Sequence, residues 1–344
     1  MKVIEKFESG KGLRLSEREI PEIGPGEILV KVMAASICGT DYHIYSWDKW
    51  SQKRIKPPLV AGHEFAGEVV KVYDDVKRIK VGDHVSSETH IVCGICEFCR
   101  TGRSHICQNT KILGVDIDGA FAEYVKIPAA NAIINDKNVA PEYLSIQEPL
   151  GNAIHTVLAG EIIGKSIAVV GCGPIGLLAV NVAKATGASK IIAIEVNDYR
   201  LNLAKELGAT ILINPLKEDV IKRVLEETNG LGVDVVTEMS GSKNAIESSF
   251  KYLKLGGRMS MLGISNENIS IDAANDIVFK GITINGVVGR EMYKTWNQVN
   301  GLIASGNLDL NKIVTHRFSF DEFEKGMELM GKGTCGKVVL YPNN

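Results

Sequence analysis

An α/β fold built on a doubly wound parallel sheet is the class that the sequence predicts for the centre of this 344-residue chain. Two observations predict it. From about residue 166, apolar runs of strand length alternate with amphipathic runs of helix length, the pattern of a parallel sheet covered on both faces. At the first strand-to-helix junction stands Gly171-Cys172-Gly173-Pro174-Ile175-Gly176, a G-x-G-x-x-G turn in the context that a dinucleotide site requires.

Each element follows in order. Glu27 to Val32 comes after the turn signal Gly24-Pro25-Gly26 and reads as a half-buried strand, as does Gly67 to Val72. Ser166 to Val170 is the first strand of the alternating region, and Pro174 to Thr186 an apolar helix. Lys190 to Glu195 is a second strand. Asp198 is placed to cap a helix with Leu201, Ala204 and Leu207 inward, closed by Gly208. A helix carrying Val220, Ile221, Val224 and Leu225 ends at Asn229-Gly230. Val233 to Thr237 is a strand, Ser242 caps a helix to Leu253, and Gly256-Gly257 turns into a strand from Arg258 to Leu262. Beyond about 290 the rhythm changes. Ser319-x-x-Glu322 is a capping box before a helix with Phe323, Met327 and Met330 inward, and Gly336 to Leu340 reads as a closing strand.

Composition narrows the function classes. Hydrophobic residues make up 45% and charged residues 23%, which excludes a disordered chain. Lys plus Arg is 39 against 41 for Asp plus Glu, so no global basic field exists to hold nucleic acid or an anionic membrane. The N-terminal residues lack the apolar run of a signal peptide. The longest apolar stretch, 167–183, is broken by glycines, a proline and Asn181, whereas a bilayer span needs ~20 predominantly apolar residues. The expected location is cytoplasmic, and the expected partner a small molecule. Glycine is in excess, 35 residues, and of seven cysteines four crowd into one segment, a poor match to a secreted disulfide scaffold.

In the glycine turn, Gly171 makes the bend, Gly173 admits a pyrophosphate and Gly176 lets helix and strand pack closely. The phosphates then sit on the N-terminus of the helix that Pro174 opens. Glu195, 19 residues beyond Gly176, ends the second strand. Its carboxylate suits ribose hydroxyls and repels a 2′-phosphate, which favours NAD over NADP, while Arg200 is a cation able to meet that phosphate. Cys93, Cys96, Cys99 and Cys107 form C-x2-C-x2-C-x7-C, the donor set of a closed tetrahedral zinc site; an iron–sulfur cluster is the other chemistry for four thiolates. Cys38, His63 and Glu64 are metal-ligand types bordered by glycine, in Cys38-Gly39-Thr40-Asp41 and Gly62-His63-Glu64.

In order and type, these motifs resemble the zinc-dependent medium-chain alcohol dehydrogenases over essentially the whole chain. Gly62-His63-Glu64-x-x-Gly67, Val81-Gly82-Asp83-His84-Val85, the four-cysteine lobe and Gly171 to Gly176 carry the resemblance. More specific stretches are Ile37 to Tyr45, Trp47 to Ser51, Gly119 to Tyr124, Pro149 to Thr156 and Gly289 to Met292. The resemblance implies a Rossmann-type domain, residues 151–289, inserted into a mainly β, GroES-like catalytic domain, residues 1–150 and 290–344. It implies two zinc ions, one catalytic on Cys38 and His63 with Glu64 and Glu148 as acidic partners, one structural on the four cysteines. The familiar pattern has a cysteine where this chain has Glu148. It further implies a proton relay from Thr40 to His43, and NAD contacts by Ile175, Glu195, Arg200, Leu262-Gly263-Ile264 and Val287-Val288. The implied activity is oxidation of a secondary alcohol, the side-chain hydroxyl of L-threonine, to 2-amino-3-oxobutanoate, by a homotetramer. A polyol or 2,3-butanediol as substrate, or a silent nucleotide-binding protein, are the alternatives.

Overall fold

The computed structural model describes residues 1–342. The chain divides into two compact units, the first made of Met1–Glu148 with the segment from Val314 onward, the second of Pro149–Ile313.

The first unit is built on a seven-stranded sheet. Ala132–Ile134, His84–Ser87, Glu64–Val72, Glu27–Ser36, Lys337–Tyr341 and Val314–Ser319 lie in that order, and Tyr124–Pro128 also pairs with Glu27–Ser36. The expected strand from Glu27 runs four residues further than its pattern predicts. Met33 to Ser36 interrupts the alternation, but three strands pair along Glu27–Ser36 and supply backbone partners throughout. Ile28, Val30, Val32, Phe65, Val69, Phe121, Val338 and Leu340 form its core. Two short helices follow, α1 (Gly39–Ser46) and α2 (Lys49–Arg54). Ser319 and Glu322 do form a reciprocal capping box, though it opens a 3-10 turn that leads into the helix Phe323–Lys332.

The second unit holds six parallel strands in the order Ile211–Ile213, Lys190–Ile194, Ser166–Val170, Val233–Glu238, Leu253–Met261 and Thr283–Gly286. Ser166–Val170 is first in sequence and central in space, so the strand order reverses at its carboxyl end, where open α/β sheets bind ligands. Three details differ from the sequence pattern. Asn197, not Asp198, caps the helix Asp198–Leu207, its side chain accepting from Tyr199 N and Arg200 N, while Asp198 turns to Asn214 and Lys217. Gly256-Gly257 lies inside the strand Leu253–Met261, where the register with its neighbour shifts, an irregularity that glycine at φ +69° accommodates. Residues 290–313 cluster with this unit: Leu310–Ile313 packs on the helices Pro174–Ala185 and Asp198–Leu207, and Asp309 N donates to Asn181 Oδ1 at 3.1 Å. No helix among the described residues is long and apolar enough to cross a membrane.

The two central strands are tied at their start by Asp234. Its carboxylate accepts from Ser166 N at 2.9 Å, Ser166 Oγ at 2.7 Å and Lys254 Nζ at 2.9 Å. Burial works to raise this carboxyl, but those donors outweigh it and hold the group at about 2. A lowered folded-state pKa adds stability above the unfolded value near 3.8, which is lost as pH falls toward 2. Asp234→Ala is therefore expected to lower unfolding free energy by about 2 kcal/mol at pH 7, with the deficit vanishing near pH 2. Urea midpoints across pH check it; a deficit independent of pH would contradict the linkage.

Candidate metal centres and nucleotide site

Cys38 ends the strand-to-helix passage from Glu27–Ser36 into α1 and serves as the helix N-cap. Its side chain takes the backbone N–H of Asp41, and Asp41 returns the contact by accepting from Cys38 N at 2.9 Å. Asp41 is fully buried and also accepts from Gly62 N at 3.1 Å, so one carboxylate ties the two ligand-bearing segments together. Gly62 has φ +85°, a conformation that favours glycine, and the bend it makes turns His63 into the unit. A Cβ on Gly62 would run into the Phe121 ring, and one on Gly114 or Gly119 would meet the Gly62 carbonyl. Neighbours in a regular strand face opposite ways, and this bend before Glu64–Val72 lets His63 and Glu64 approach one site. His63 precedes the strand Glu64–Val72, and ligand atoms of Cys38, His63 and Glu64 lie within 4.8 Å of one another.

The donor set fits a divalent cation. His63 is buried, and burial works to lower its pKa, yet Cys38 and Asp41 beside it hold the imidazole up at about 10. A proton there stands where the chemistry of the site calls for positive charge, and a metal ion would replace it. Glu64 Oε1 is buried with no hydrogen-bond partner. Its other oxygen takes Ser36 Oγ and the ammonium of Lys337, which is 1% exposed and also donates to Ile37 O at 2.7 Å. Burial pulls Lys337 down, but Glu64 and Cys38 more than compensate and keep it charged. Glu148 is buried, accepts from Thr89 Oγ1 at 3.2 Å, and contributes to the field at His63. Lys337 and Asp41 escaped the sequence reading. The signal for the first was a lysine inside an otherwise apolar strand; Asp41, in a glycine-flanked loop, gave none.

Thr40 sits in the first turn of α1, its Oγ1 3.8 Å from Cys38 Sγ. One turn on, His43 is exposed and its Nδ1 lies 2.7 Å from Asp48 Oδ2. The Trp50 ring stands edge-on to the imidazole at 6.3 Å between centroids.

The cysteine lobe is compact. Cys93–Cys107 and Cys96–Cys99 Sγ distances are 3.5 Å and Cys96–Cys107 is 3.8 Å, while all four sulfurs lie within 4.8 Å of one another. Tetrahedral zinc with bonds of about 2.3 Å needs sulfurs roughly 3.8 Å apart. Backbone N–H groups of Ile95 and Cys96 hold the Cys93 thiol down at about 6, whereas desolvation and neighbouring thiols push Cys99 up to about 11. Four thiolates this close repel unless a cation sits among them, and the set fits zinc. All seven cysteines are free.

In the second unit, Gly171 follows Ser166–Val170 with φ +86°, and a Cβ there would press on Ser240 at 2.9 Å. A Cβ on Gly176 would fall on the Gly171 carbonyl oxygen. Gly173 differs. Its φ of −63° and ψ of −178° suit any residue, and a Cβ would meet nothing within 4 Å. Neither backbone nor packing demands glycine at 173, but close approach by a pyrophosphate does, so the turn fits a dinucleotide. Gly173→Ala is expected to leave the melting temperature within about 2 °C, while weakening NAD binding roughly tenfold or more. Gly176→Ala should instead destabilise the fold. Calorimetric melting and titration with NAD separate the two, and equal melting losses would refute the contrast.

Glu195 is buried just after Lys190–Ile194 and accepts from Cys172 N at 2.8 Å and Asn197 N at 3.0 Å. A carboxylate has about four acceptor positions, so about two remain. Arg200 Nε is buried without a partner. Ile175 is half-buried in the first helical turn after the glycines. Leu262 N and Gly263 N donate to Glu238 O at the end of Leu253–Met261, and Val287 N to Met261 O. Gly263 is required there, because a Cβ would strike the backbone of Gly241. Ile264 and Val288 are exposed and Val287 buried, so both groups lie at the same carboxyl edge of the sheet as Gly171 and Glu195.

Residues 24–136 match the alcohol dehydrogenase GroES-like domain, and residues 174–305 the zinc-binding dehydrogenase domain. An L-threonine 3-dehydrogenase of Caldanaerobacter subterraneus is 59% identical over 333 residues, 96% of either chain. Among solved structures, a short chain alcohol dehydrogenase of E. coli complexed with NADH has a TM-score of 0.91 at 30% identity, covering 99% of both chains. The 2R,3R-butanediol dehydrogenase of Bacillus subtilis has a TM-score of 0.90, also at 30% identity and 99% of both. On its motifs, its two-unit fold and these similarities, the chain belongs to the zinc-dependent medium-chain alcohol dehydrogenases.

Proposed function

We propose that the protein oxidises L-threonine at its side-chain hydroxyl with NAD, giving 2-amino-3-oxobutanoate, NADH and a proton. The observation that carries this reading is the gathering of Cys38, His63 and Glu64 ligand atoms within 4.8 Å, with the Thr40 hydroxyl beside the Cys38 thiol. The relative named L-threonine 3-dehydrogenase, at 59% identity, supports the substrate. Cys38 and His63 would hold the catalytic zinc, with Glu64 and Glu148 as acidic partners; Cys93, Cys96, Cys99 and Cys107 would hold the structural one. Bound there, zinc would supply Lewis acidity toward the substrate hydroxyl and NAD would be the hydride acceptor. Thr40 accepts the hydroxyl proton while giving its own onward to His43, whose exposed imidazole returns it to solvent. Asp41 and the Gly62 bend fix the metal-ligating side chains, and Lys337 holds one oxygen of Glu64 in a buried ion pair. Gly171, Gly173, Ile175, Gly176, Glu195, Arg200, Leu262 to Ile264 and Val287-Val288 would hold the dinucleotide. Glu195 sets the preference for NAD.

A reducing cytoplasm is the compartment that keeps seven free thiols available, four of them as metal ligands. Self-association to a homotetramer belongs to the same reading, supported by the exposed apolar side chains Val278, Phe279 and Ile284 of the second unit. The deciding experiment offers the zinc-loaded protein NAD or NADP with L-threonine, its stereoisomers, sorbitol and 2,3-butanediol. Turnover is expected with L-threonine and NAD. Turnover of the diol without the amino acid would establish the activity named for the Bacillus subtilis neighbour. No turnover of any alcohol would leave a silent nucleotide-binding protein.

A further inference from the structure

Asp48 divides its two carboxylate oxygens between two tasks. Oδ1 caps α2, accepting from Ser51 N at 2.9 Å and Ser51 Oγ at 3.0 Å. Oδ2 faces His43 Nδ1 at 2.7 Å. Burial works to raise this carboxyl, but the Ser51 donors and His43 keep it below its ordinary range, so it is an anion at neutral pH. Histidine 43 is held from behind as well: Ser51 Oγ donates to its carbonyl at 2.6 Å, and Trp47 N does so at 3.0 Å as the left-handed end of α1. Among the described residues Asp48 is the charged side chain in contact with the imidazole, and Trp50 its aromatic neighbour.

We propose that Asp48 is a positioning residue for the proton relay, holding His43 with its proton on Nδ1 so that Nε2 is the acceptor. A carboxylate cannot donate, so the 2.7 Å contact requires Nδ1–H and leaves the lone pair on Nε2. The α1–α2 turn supplies the geometry: His43 and Asp48 are five residues apart, and the same carboxylate that starts α2 is thereby aimed at the ring. In this arrangement the neutral imidazole has one tautomer, and the imidazolium formed when the relay delivers a proton is met by a negative charge. The inference rests on the relay reading of Thr40 and His43.

Asp48→Asn separates the two tasks, because asparagine caps a helix as well as aspartate does but presents an amide where the anion stood. Expected are an unchanged zinc content, a melting temperature within about 2 °C of the parent, and kcat lower by roughly tenfold or more with KM little changed. The pH dependence of kcat should change, since the anion 2.7 Å from His43 Nδ1 is gone. The 15N shifts of the His43 ring should show loss of the Nδ1–H form. Asp48→Ser, which keeps a cap without reaching the ring, should reproduce the kinetic loss even if Asp48→Asn folds poorly. In a His43→Asn background, either change should cost nothing further. If His43→Asn itself retains parental kcat, the relay reading fails. If His43→Asn is impaired while Asp48→Asn keeps parental kcat, pH profile and ring shifts, the positioning role is overturned. An equal loss from Asp48→Asn in both backgrounds would overturn it too.

Discussion

Cys38→Ser is expected to cost about 10³-fold or more in kcat/KM for L-threonine, and to lower the metal content by one zinc per chain. A serine hydroxyl does not ionise at neutral pH and is a poor ligand for zinc. Losing Lewis-acid assistance removes several kcal/mol of barrier lowering, and about 4 kcal/mol corresponds to a thousandfold. The fold should persist, because a serine hydroxyl still serves as the N-cap of α1 that Cys38 provides. Cys93→Ser should also remove one zinc, yet its main effect should be on stability: the lobe from 93 to 107 holds only two short helical turns and one buried cysteine, Cys107. Metal analysis by mass spectrometry, initial rates and thermal melts on both variants check the pair. Two zincs retained in either variant, or unimpaired rates in Cys38→Ser, would sink the two-site assignment.

Lys337→Met is expected to destabilise the protein by about 3–5 kcal/mol. Glu64 and Lys337 are each 1% exposed, and removing the ammonium leaves the carboxylate with the Ser36 hydroxyl as its donor among the described residues. The Ile37 carbonyl loses its 2.7 Å donor in the same step. Combining Lys337→Met with Glu64→Gln should cost clearly less than the sum of the two single changes, since no buried charge is then left alone. Urea unfolding of the four proteins measures this. Additive losses would mean that the ion pair is not what the lysine provides.

The parallel sheet of the second unit was legible because its strands are short apolar runs closed by glycine or acidic residues, and its helices carry clear stripes. Two of the six strands were not: Ile211–Ile213 is only three residues long, and three of the four residues of Thr283–Gly286 are exposed with no alternation to mark it. Asn197 and Asp198 are chemically equivalent caps one residue apart, so only the backbone could choose between them. The four cysteines announced themselves by spacing. Cys38, His63 and Glu64 did not, because their meeting depends on the Gly62 bend and on pairing between Glu27–Ser36 and Glu64–Val72, where Ser36 lies opposite Glu64. Thr40 and His43 were named through resemblance, and their spacing alone carried no chemistry. Asp48 lay within Trp47 to Ser51, a stretch that carries the resemblance without a role for that residue, and Lys337 lay outside any motif; a cap and a buried counter-ion show their second role only in three dimensions.

The glycines around Gly62 bear on how this enzyme could be re-engineered. Gly114 and Gly119 leave no room for a side chain over the Gly62 carbonyl, and Ala120 N donates to that same oxygen at 2.8 Å. The peptide before His63 is thus clamped from a loop some fifty residues away in sequence. Random mutagenesis aimed at substrate scope would treat 114–121 as distant, permissive surface. Substitutions there should instead surface in screens as lost metallation, and a library that freezes those glycines would recover more active clones from the same number of variants.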